Sequence, residues 1–334
     1  MSAKKIAIIG DGGWGTTIAI HLNKKGFRIA LWSPFEDYAL SLAKKRENPK
    51  FLPGIKIPQA IEISNSLSEV TQGAELVILA IPSQYLRGVL IRLKKEVGAK
   101  NYIFLSVVKG IEPKTLKRMS EVIYEILGKV RLAVLSGPNI AREIAHEVPS
   151  AAVVSSSSRS IAEMIQDIFM SDYFRIYTNY DMIGVELGGA LKNIVAIACG
   201  ISDGMGCGTN TKATLLTRGL TEITRLGVSL GASKETFWGL SGIGDLVTTC
   251  ISPFSRNRFV GEQIGKGRKL KDILAKMDMV AEGIKTCECA FNLAKKKDVE
   301  VPITEQVYMV LYRNKNPKNA VLDLMRRKKK EETK

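Results

Sequence analysis

The chain has 334 residues, 45% hydrophobic and 25% charged, which excludes wholesale disorder and predicts about two domains. Five cysteines (Cys199, Cys207, Cys250, Cys287, Cys289) make no even framework, and Cys287 and Cys289 lack Cys-x-x-Cys spacing; His21 and His146, the only histidines, leave a multi-histidine metal site almost no material, and a reduced, cytoplasmic protein is predicted. Forty-nine Lys and Arg against 33 Asp and Glu leave +16, which suits a nucleic-acid or anionic-membrane partner, or an enzyme with an anionic substrate.

Met1-Ser2-Ala3-Lys4-Lys5 leads directly into Ile6-Ala7-Ile8-Ile9, a short apolar run with no leader pattern before it. Such a run predicts a parallel strand buried on both faces. After the glycines, residues 16–25 read as a helix stopped by Gly26, and residues 28–32 as the next strand. Further strands are expected at residues 76–81, 102–108, 132–135, 151–154 and, last, 174–177, with Ser155 to Ser158 as a loop. Strands separated by helical or polar segments predict an α/β fold with a mostly parallel sheet and crossover helices.

Beyond about residue 180 only helical spacing remains. The longest apolar stretch, residues 183–201, contains Glu186, Lys192 and Asn193, so it reads as a buried helix rather than a membrane span of about 20 uncharged residues. Domains are therefore expected over residues 1–182 and 183–334, without a Pro/Ser-rich linker between them. The last nine residues hold six basic and two acidic side chains with no aromatic residue among them, which predicts a solvated, frayed end rather than a single-strand-binding tail.

Gly10-Asp11-Gly12-Gly13-Trp14-Gly15 meets G-x-G-x-x-G at Gly10, Gly12 and Gly15. The spacing alone is weak, but here it follows a strand and opens a helix, the context a dinucleotide site requires. One glycine makes the tight turn, the next admits the pyrophosphate to the backbone, and the third lets helix and strand pack closely. At the end of the second strand an acid would select NAD and an arginine NADP. The chain has Ser33-Pro34-Phe35, with Glu36 and Asp37 late and Lys44-Lys45-Arg46 farther on, so both cofactors stay open.

Lys192 has Gly188 and Gly189 one helical turn before it and Val195 and Ala196 one turn after. Small neighbours leave room for a ligand, and apolar ones desolvate the amine, which favours proton release. A carbonyl oxygen whose carbon gains a hydride needs a proton from such a group. The alternative is a lysine that snorkels to the surface.

An ordered series of motifs carries a resemblance over nearly the whole chain. It includes Trp14-Gly15-Thr16, Leu52-Pro53-Gly54, Ile81-Pro82-Ser83, Val108-Lys109-Gly110, Ser136-Gly137-Pro138 and Gly188-Gly189-Ala190-Leu191-Lys192-Asn193. Ser202-Asp203-Gly204, Gly244-Asp245-Leu246, Ser255-Arg256-Asn257-Arg258, Glu282-Gly283 and Pro302-Ile303-Thr304-Glu305 complete it. In these the chain resembles the bacterial NAD(P)-dependent glycerol-3-phosphate dehydrogenases. The resemblance implies an N-terminal Rossmann domain, a C-terminal all-helical domain, and a cytoplasmic, dimeric enzyme. It also implies reversible hydride transfer from NADH or NADPH to dihydroxyacetone phosphate, giving sn-glycerol 3-phosphate for phospholipid synthesis. No nucleic acid and no integral membrane segment are expected.

By the same resemblance, Lys192 is the proton-transfer lysine, Lys109 touches cofactor and substrate, and Asp245 joins the substrate's proton network unless it merely caps the next helix. Gly137, Asn139, Ser255, Arg256 and Asn257 contact substrate, the last three offering a hydroxyl, a guanidinium and an amide to its phosphate. Gly13, Trp14, Ser33, Pro82, Ala141, Arg256, Val280 and Glu282 join the three fingerprint glycines at the cofactor, and Arg258 supports the structure. Three departures stand out. Ser33 and Pro34 replace the arginine or histidine of many relatives, which weakens the case for NADP. Asn139 stands where serine or threonine is usual, and Asp11 and Gly13 replace alanine and serine. A 3-hydroxy-acid or 6-phosphogluconate-type dehydrogenase would want a different anion pocket, and a dinucleotide-sensing nucleic-acid binder would need no buried lysine.

Overall fold

The computed structural model describes residues 4–98, 101–277, 280–329 and 331–332. Met1 to Ala3, and Lys330, Thr333 and Lys334 of the basic tail, lie outside the described residues. Among the described residues the ten strands are β1 (Lys5–Ile9), β2 (Arg28–Trp32), β3 (Glu47–Asn48), β4 (Leu52–Lys56), β5 (Glu62–Ser64), β6 (Ala74–Leu79), β7 (Ile103–Ser106), β8 (Arg131–Ser136), β9 (Ser150–Ser156) and β10 (Phe174–Asn179). Eight of them form one sheet in the order β10-β9-β8-β7-β6-β1-β2-β5, and β3 pairs with β4 as a separate hairpin. Every neighbour in the large sheet is parallel except β8 with β9.

Strand alternation builds a core on each face of this sheet. Ile6, Ile8, Ile29 and Leu31 pack on one side, and Ala7, Ile9, Ala30 and Trp32 on the other. The helices that follow or cross over are α1 (Gly13–Lys24), α2 (Glu36–Lys45), α3 (Leu67–Thr71), α4 (Leu86–Glu96), α5 (Met119–Leu127), α6 (Ala141–Ala145) and α7 (Arg159–Phe169). The chain order about β1 reverses direction between β1 and β6, the switch point at which open α/β sheets bind ligands.

Several expectations shift. The fingerprint helix starts at Gly13 rather than residue 16, because the glycines themselves enter the first turn. Ala80 still donates to the Ile9 carbonyl at 2.8 Å, but Pro82 has no N–H, so β6 ends before residue 81. Ser155 and Ser156 finish β9 instead of forming a loop, and the Ser156 hydroxyl donates to the Leu132 carbonyl at 2.7 Å. Strand β5 and the hairpin carry no long apolar run, so they were not legible as strands.

His21 is buried among Phe169, Tyr173 and Phe174. Its ring nitrogens meet the Tyr173 hydroxyl and the Phe169 carbonyl, both at 2.8 Å, a pairing that suits the neutral ring donating from Nε2. Burial pushes its pKa down to about 4. The unfolded chain therefore takes up this proton first, and the contribution of His21 to stability, complete above pH 6.5, is expected to fall by about 3 kcal/mol as pH drops toward 4. Urea unfolding of wild type and His21→Gln at pH 7 and 4.5 checks it, since the variant should lose that part of the pH dependence.

Residues after β10 form α8 (Met182–Gly204), α9 (Thr209–Ser229), α10 (Asp245–Ile251), α11 (Arg256–Gly265), α12 (Leu270–Leu274), α13 (Glu282–Lys297), α14 (Pro302–Arg313) and α15 (Pro317–Met325). Helix α8 has a mean hydropathy of 1.5 over its most apolar window, enough by length and composition to cross a membrane, but it lies buried as the core of the helical domain. Gly200 and Gly204 face Gly261 and Gly265 of α11 so closely that a methyl group on any of them would strike the other helix's backbone. Buried acids fasten neighbouring segments. Glu186 of α8 accepts from the Ser120 N–H at 2.7 Å and from Arg118 at 2.5 Å, holding the start of α5. Glu222 accepts from the N–H groups of Ile303 and Thr304 at the start of α14. The basic tail is not wholly free: Arg327 pairs with Glu300 at 3.1 Å, and the Glu332 carbonyl accepts from Arg218.

Candidate active site

The site lies at the carboxyl ends of β1, β6, β7 and β8, where four loops meet the helical domain. Gly10 leaves β1 with φ of 124°, and a side chain there would sit 2.5 Å from the Ala80 carbonyl oxygen. A side chain at Gly15 would run into the Gly10 carbonyl, and one at Gly13 would come within 2.6 Å of the Phe51 carbonyl. Gly12 differs, because a Cβ there would meet nothing within 4 Å. It caps α1 with no side-chain partner, so the first-turn N–H groups face open space. This cradle fits the pyrophosphate of a dinucleotide, held by backbone N–H groups and the helix dipole.

The other expected cofactor residues divide. Trp14 packs edge-on against Phe174, leaving its backbone in the first turn of α1 and its indole N–H buried without a protein partner. The Ala141 carbonyl receives the Thr17 hydroxyl at 3.1 Å, which joins α6 to α1. Pro82 caps the single turn Ser83–Tyr85, and the Ser83 N–H donates to Glu282 Oε1 at 3.0 Å. Glu282 opens α13; burial raises its pKa, against the charges of Arg256 and Lys109. Val280 is half-buried just before that helix. Ser33 is fully buried and its hydroxyl donates to Asp11 Oδ2 at 2.6 Å, so it is not open to a ligand as expected.

The centre of the site is a carboxylate shared by two lysines. Asp245 begins α10 and is 2% exposed. Its Oδ1 accepts from Lys192 Nζ at 2.6 Å and its Oδ2 from Lys109 Nζ at 2.6 Å. Gly244, not Asp245, caps the helix, which rejects the purely capping role. Lys192 has a side chain only 7% exposed, so it does not snorkel; its ammonium also donates to the Thr249 hydroxyl at 2.5 Å. Thr249 was missed in the sequence, although it lies one helical turn from Asp245 and hence on its face.

Lys109 reaches from beyond β7 to the Gly137 carbonyl at 3.1 Å and to Asn139 Oδ1 at 2.8 Å. Burial lowers its pKa to about 8; Asp245 resists that shift and Lys192 adds to it. The Asn139 Nδ2 and the Ser136 hydroxyl are buried without protein partners, two polar groups directed at this cluster's surroundings. Gly137 has φ of 140°, and a side chain would lie 2.9 Å from the Ala152 Cα.

The glycines before Lys192 do not leave the room expected beside its amine. A Cβ at Gly188 would be 2.5 Å from the Ser241 carbonyl, and one at Gly189 would strike the Ser136 hydroxyl. They let the 240–244 turn and β8 approach α8, and so bring Asp245 to the lysine. Asn257 is likewise engaged: it donates to Asn193 at 2.9 Å and accepts from the Gly283 N–H at 2.9 Å, joining α8, α11 and α13. Ser255 caps α11 through the Arg258 N–H, and Arg258 pairs with Asp203 at 2.7 Å. Arg256 stands exposed on the first turn of α11.

A nucleotide cradle on a Rossmann sheet, facing a buried lysine–carboxylate cluster where the sheet meets the helical domain, defines a two-domain dinucleotide-dependent oxidoreductase. Profiles described as the N-terminus and C-terminus of NAD-dependent glycerol-3-phosphate dehydrogenase match residues 5–162 and 181–322. A protein of Citrifermentans bemidjiense named glycerol-3-phosphate dehydrogenase [NAD(P)+] is 51% identical over 99% of both chains. The crystal structure of glycerol-3-phosphate dehydrogenase from Coxiella burnetii superposes with a TM-score of 0.94 at 36% identity, covering 97% of this chain and 99% of that one. The Plasmodium falciparum glycerol-3-phosphate dehydrogenase follows at 0.88 and 26%, with 98% and 97% covered. This chain belongs to the NAD-dependent glycerol-3-phosphate dehydrogenase family.

Proposed function

We propose that the chain interconverts dihydroxyacetone phosphate and sn-glycerol 3-phosphate with NADH or NADPH, supplying glycerophospholipid synthesis as a cytoplasmic homodimer. The observation that carries the chemistry is the Lys192–Asp245–Lys109 cluster, two ammonium groups 2.6 Å from one buried carboxylate. We divide the chain at residues 182 and 183, with cofactor binding largely on the first side and substrate and proton transfer largely on the second.

When bound, the nicotinamide supplies or accepts a hydride at the substrate's C2. Reduction of the ketone leaves its oxygen needing one proton, and Lys192 gives it; oxidation of the alcohol returns it. Asp245 keeps the Lys192 ammonium in place and draws Lys109 to the same point. Lys109 and the free Nδ2 of Asn139 hold substrate oxygens beside the cluster, with Gly137 allowing the backbone close. Arg256, with Ser255 and the start of α11, takes the phosphate. Asn257 serves by orienting these helices. Glu282, Val280, Ala141 and Pro82 line the nicotinamide side, while Gly10, Gly12, Gly13, Trp14 and Gly15 hold the pyrophosphate through backbone.

Following reduced-nicotinamide absorbance with dihydroxyacetone phosphate tests the reading. Substrate-dependent oxidation supports it; both dinucleotides binding without consumption would move the substrate assignment to hydroxy-acid dehydrogenases. If Arg256 holds the phosphate, Arg256→Ala is expected to raise KM for dihydroxyacetone phosphate by about 100-fold, since a charge-assisted contact of about 3 kcal/mol is lost, with a smaller change in kcat. An unchanged KM places the phosphate elsewhere.

A further inference from the structure

We infer that Asp11 selects the cofactor: its carboxylate, delivered from the loop after β1, stands at the carboxyl end of β2, where an anion favours ribose hydroxyls and repels a 2′-phosphate. The inference rests on the dinucleotide reading above. Strands β1 and β2 end level, Ile9 opposite Trp32, and the Gly10 N–H donates to the Trp32 carbonyl at 3.1 Å. Asp11 therefore begins where β2 stops, and Ser33, the first residue beyond β2, donates its hydroxyl to Asp11 Oδ2 at 2.6 Å. Asp11 thus supplies from the loop after β1, oriented by Ser33, the charge that a Rossmann sheet ordinarily carries on the second strand.

The position is rigid. The Asp11 carbonyl accepts from the Thr16 hydroxyl at 3.2 Å and from Asn48 Nδ2 at 2.7 Å, and Asn48 is itself held by the Tyr38 hydroxyl at 2.7 Å. Rival groups are worse placed. Glu36 and Asp37 are exposed on the first turn of α2. Lys44 and Lys45, which could attract a phosphate, lie on the last turn of that 10-residue helix, and Arg46 donates instead to the carbonyls of Pro58 and Ile61. Burial raises the pKa of Asp11, and the Ser33 hydroxyl, a backbone N–H and the charge of nearby Lys50 oppose that shift and favour the carboxylate.

Titrating NADH and NADPH by nicotinamide fluorescence, without substrate, tests the inference on wild type, Asp11→Asn and Asp11→Ser. Wild type should bind NADH more tightly, and Asp11→Asn, which retains an acceptor for Ser33, should shift the ratio toward NADPH by about tenfold, mostly by tightening NADPH. Asp11→Ser should shift it the same way, which keeps the test decisive if the amide variant folds poorly by circular dichroism. A control removing both α2 charges, Glu36→Gln with Asp37→Asn, should leave the ratio unchanged. Equal or inverted preference in wild type, an Asp11→Asn ratio within about twofold of wild type, or a shift in the control instead would overturn the inference while leaving the site reading intact. Binding of neither dinucleotide would overturn both.

Discussion

Lys192→Ala is expected to lower kcat by about 10³-fold or more, within the range for loss of a positioned general acid. The dissociation constant of the dinucleotide should stay within about threefold of wild type, since the Lys192 ammonium is held by Asp245 and Thr249 of α10. Steady-state kinetics with a separate fluorescence titration separate the two effects. Hydride addition makes an alkoxide, and the available ammonium beside Asp245 is the group placed to quench it. Lys109 is less able to replace it, because it is engaged by Asn139 and the Gly137 carbonyl as well. Near-normal turnover in Lys192→Ala would refute the role. Loss of dinucleotide binding equal to the loss of turnover would instead mean that the variant had damaged the domain junction.

The second large effect is expected at Asp245. Asp245→Asn keeps the shape but removes the negative charge that both buried lysines share. Breaking such a pair costs about 3–5 kcal/mol, because the cations are left without compensation. Unfolding in urea should show that loss, and kcat should fall by about 100-fold or more as Lys192 loses its anchor. A third readout distinguishes chemistry from mere structure. Asp245 favours the ammonium of Lys109, so its removal lets burial and the charge of Lys192 push that pKa below its value of about 8. If Lys109 binds substrate as a cation, the alkaline fall in kcat/KM should begin near pH 8 in wild type and at lower pH in the variant. An unmoved limb together with wild-type stability would remove Asp245 from the centre of the site.

Stretches governed by local physics were legible in the chain. Residues 6–9 and 28–32 are uninterrupted apolar runs, and each became a strand buried on both faces. The apolar helix around Lys192 was legible because its charges are too few to solvate it, and it became the core of the helical domain. The mostly parallel sheet followed from alternation, but the antiparallel turn of β9 against β8 did not, since strand direction depends on how connections pack rather than on composition. Short polar strands such as β5 left no apolar signature, because they sit at an edge with little to bury.

Residue types, spacing and burial tendency were thus determined by the sequence alone: a glycine cradle after a first strand, a lysine enclosed by apolar helix, and a family pattern extending from Gly10 to Glu305. Partnership was decided only by the tertiary structure. Lys109 and Lys192 meet at Asp245 across sequence separations of 136 and 53 residues. Ser33 turned inward to Asp11, Asn257 became a brace between helices, and Gly188 and Gly189 admitted protein backbone and a serine hydroxyl instead of a ligand. The physical reason is common to all of them. A hydrogen bond or a close approach is worth its energy only at contact distance, and which distant groups reach that distance is set by the packing of the whole sheet and helical domain, not by any local run of residues.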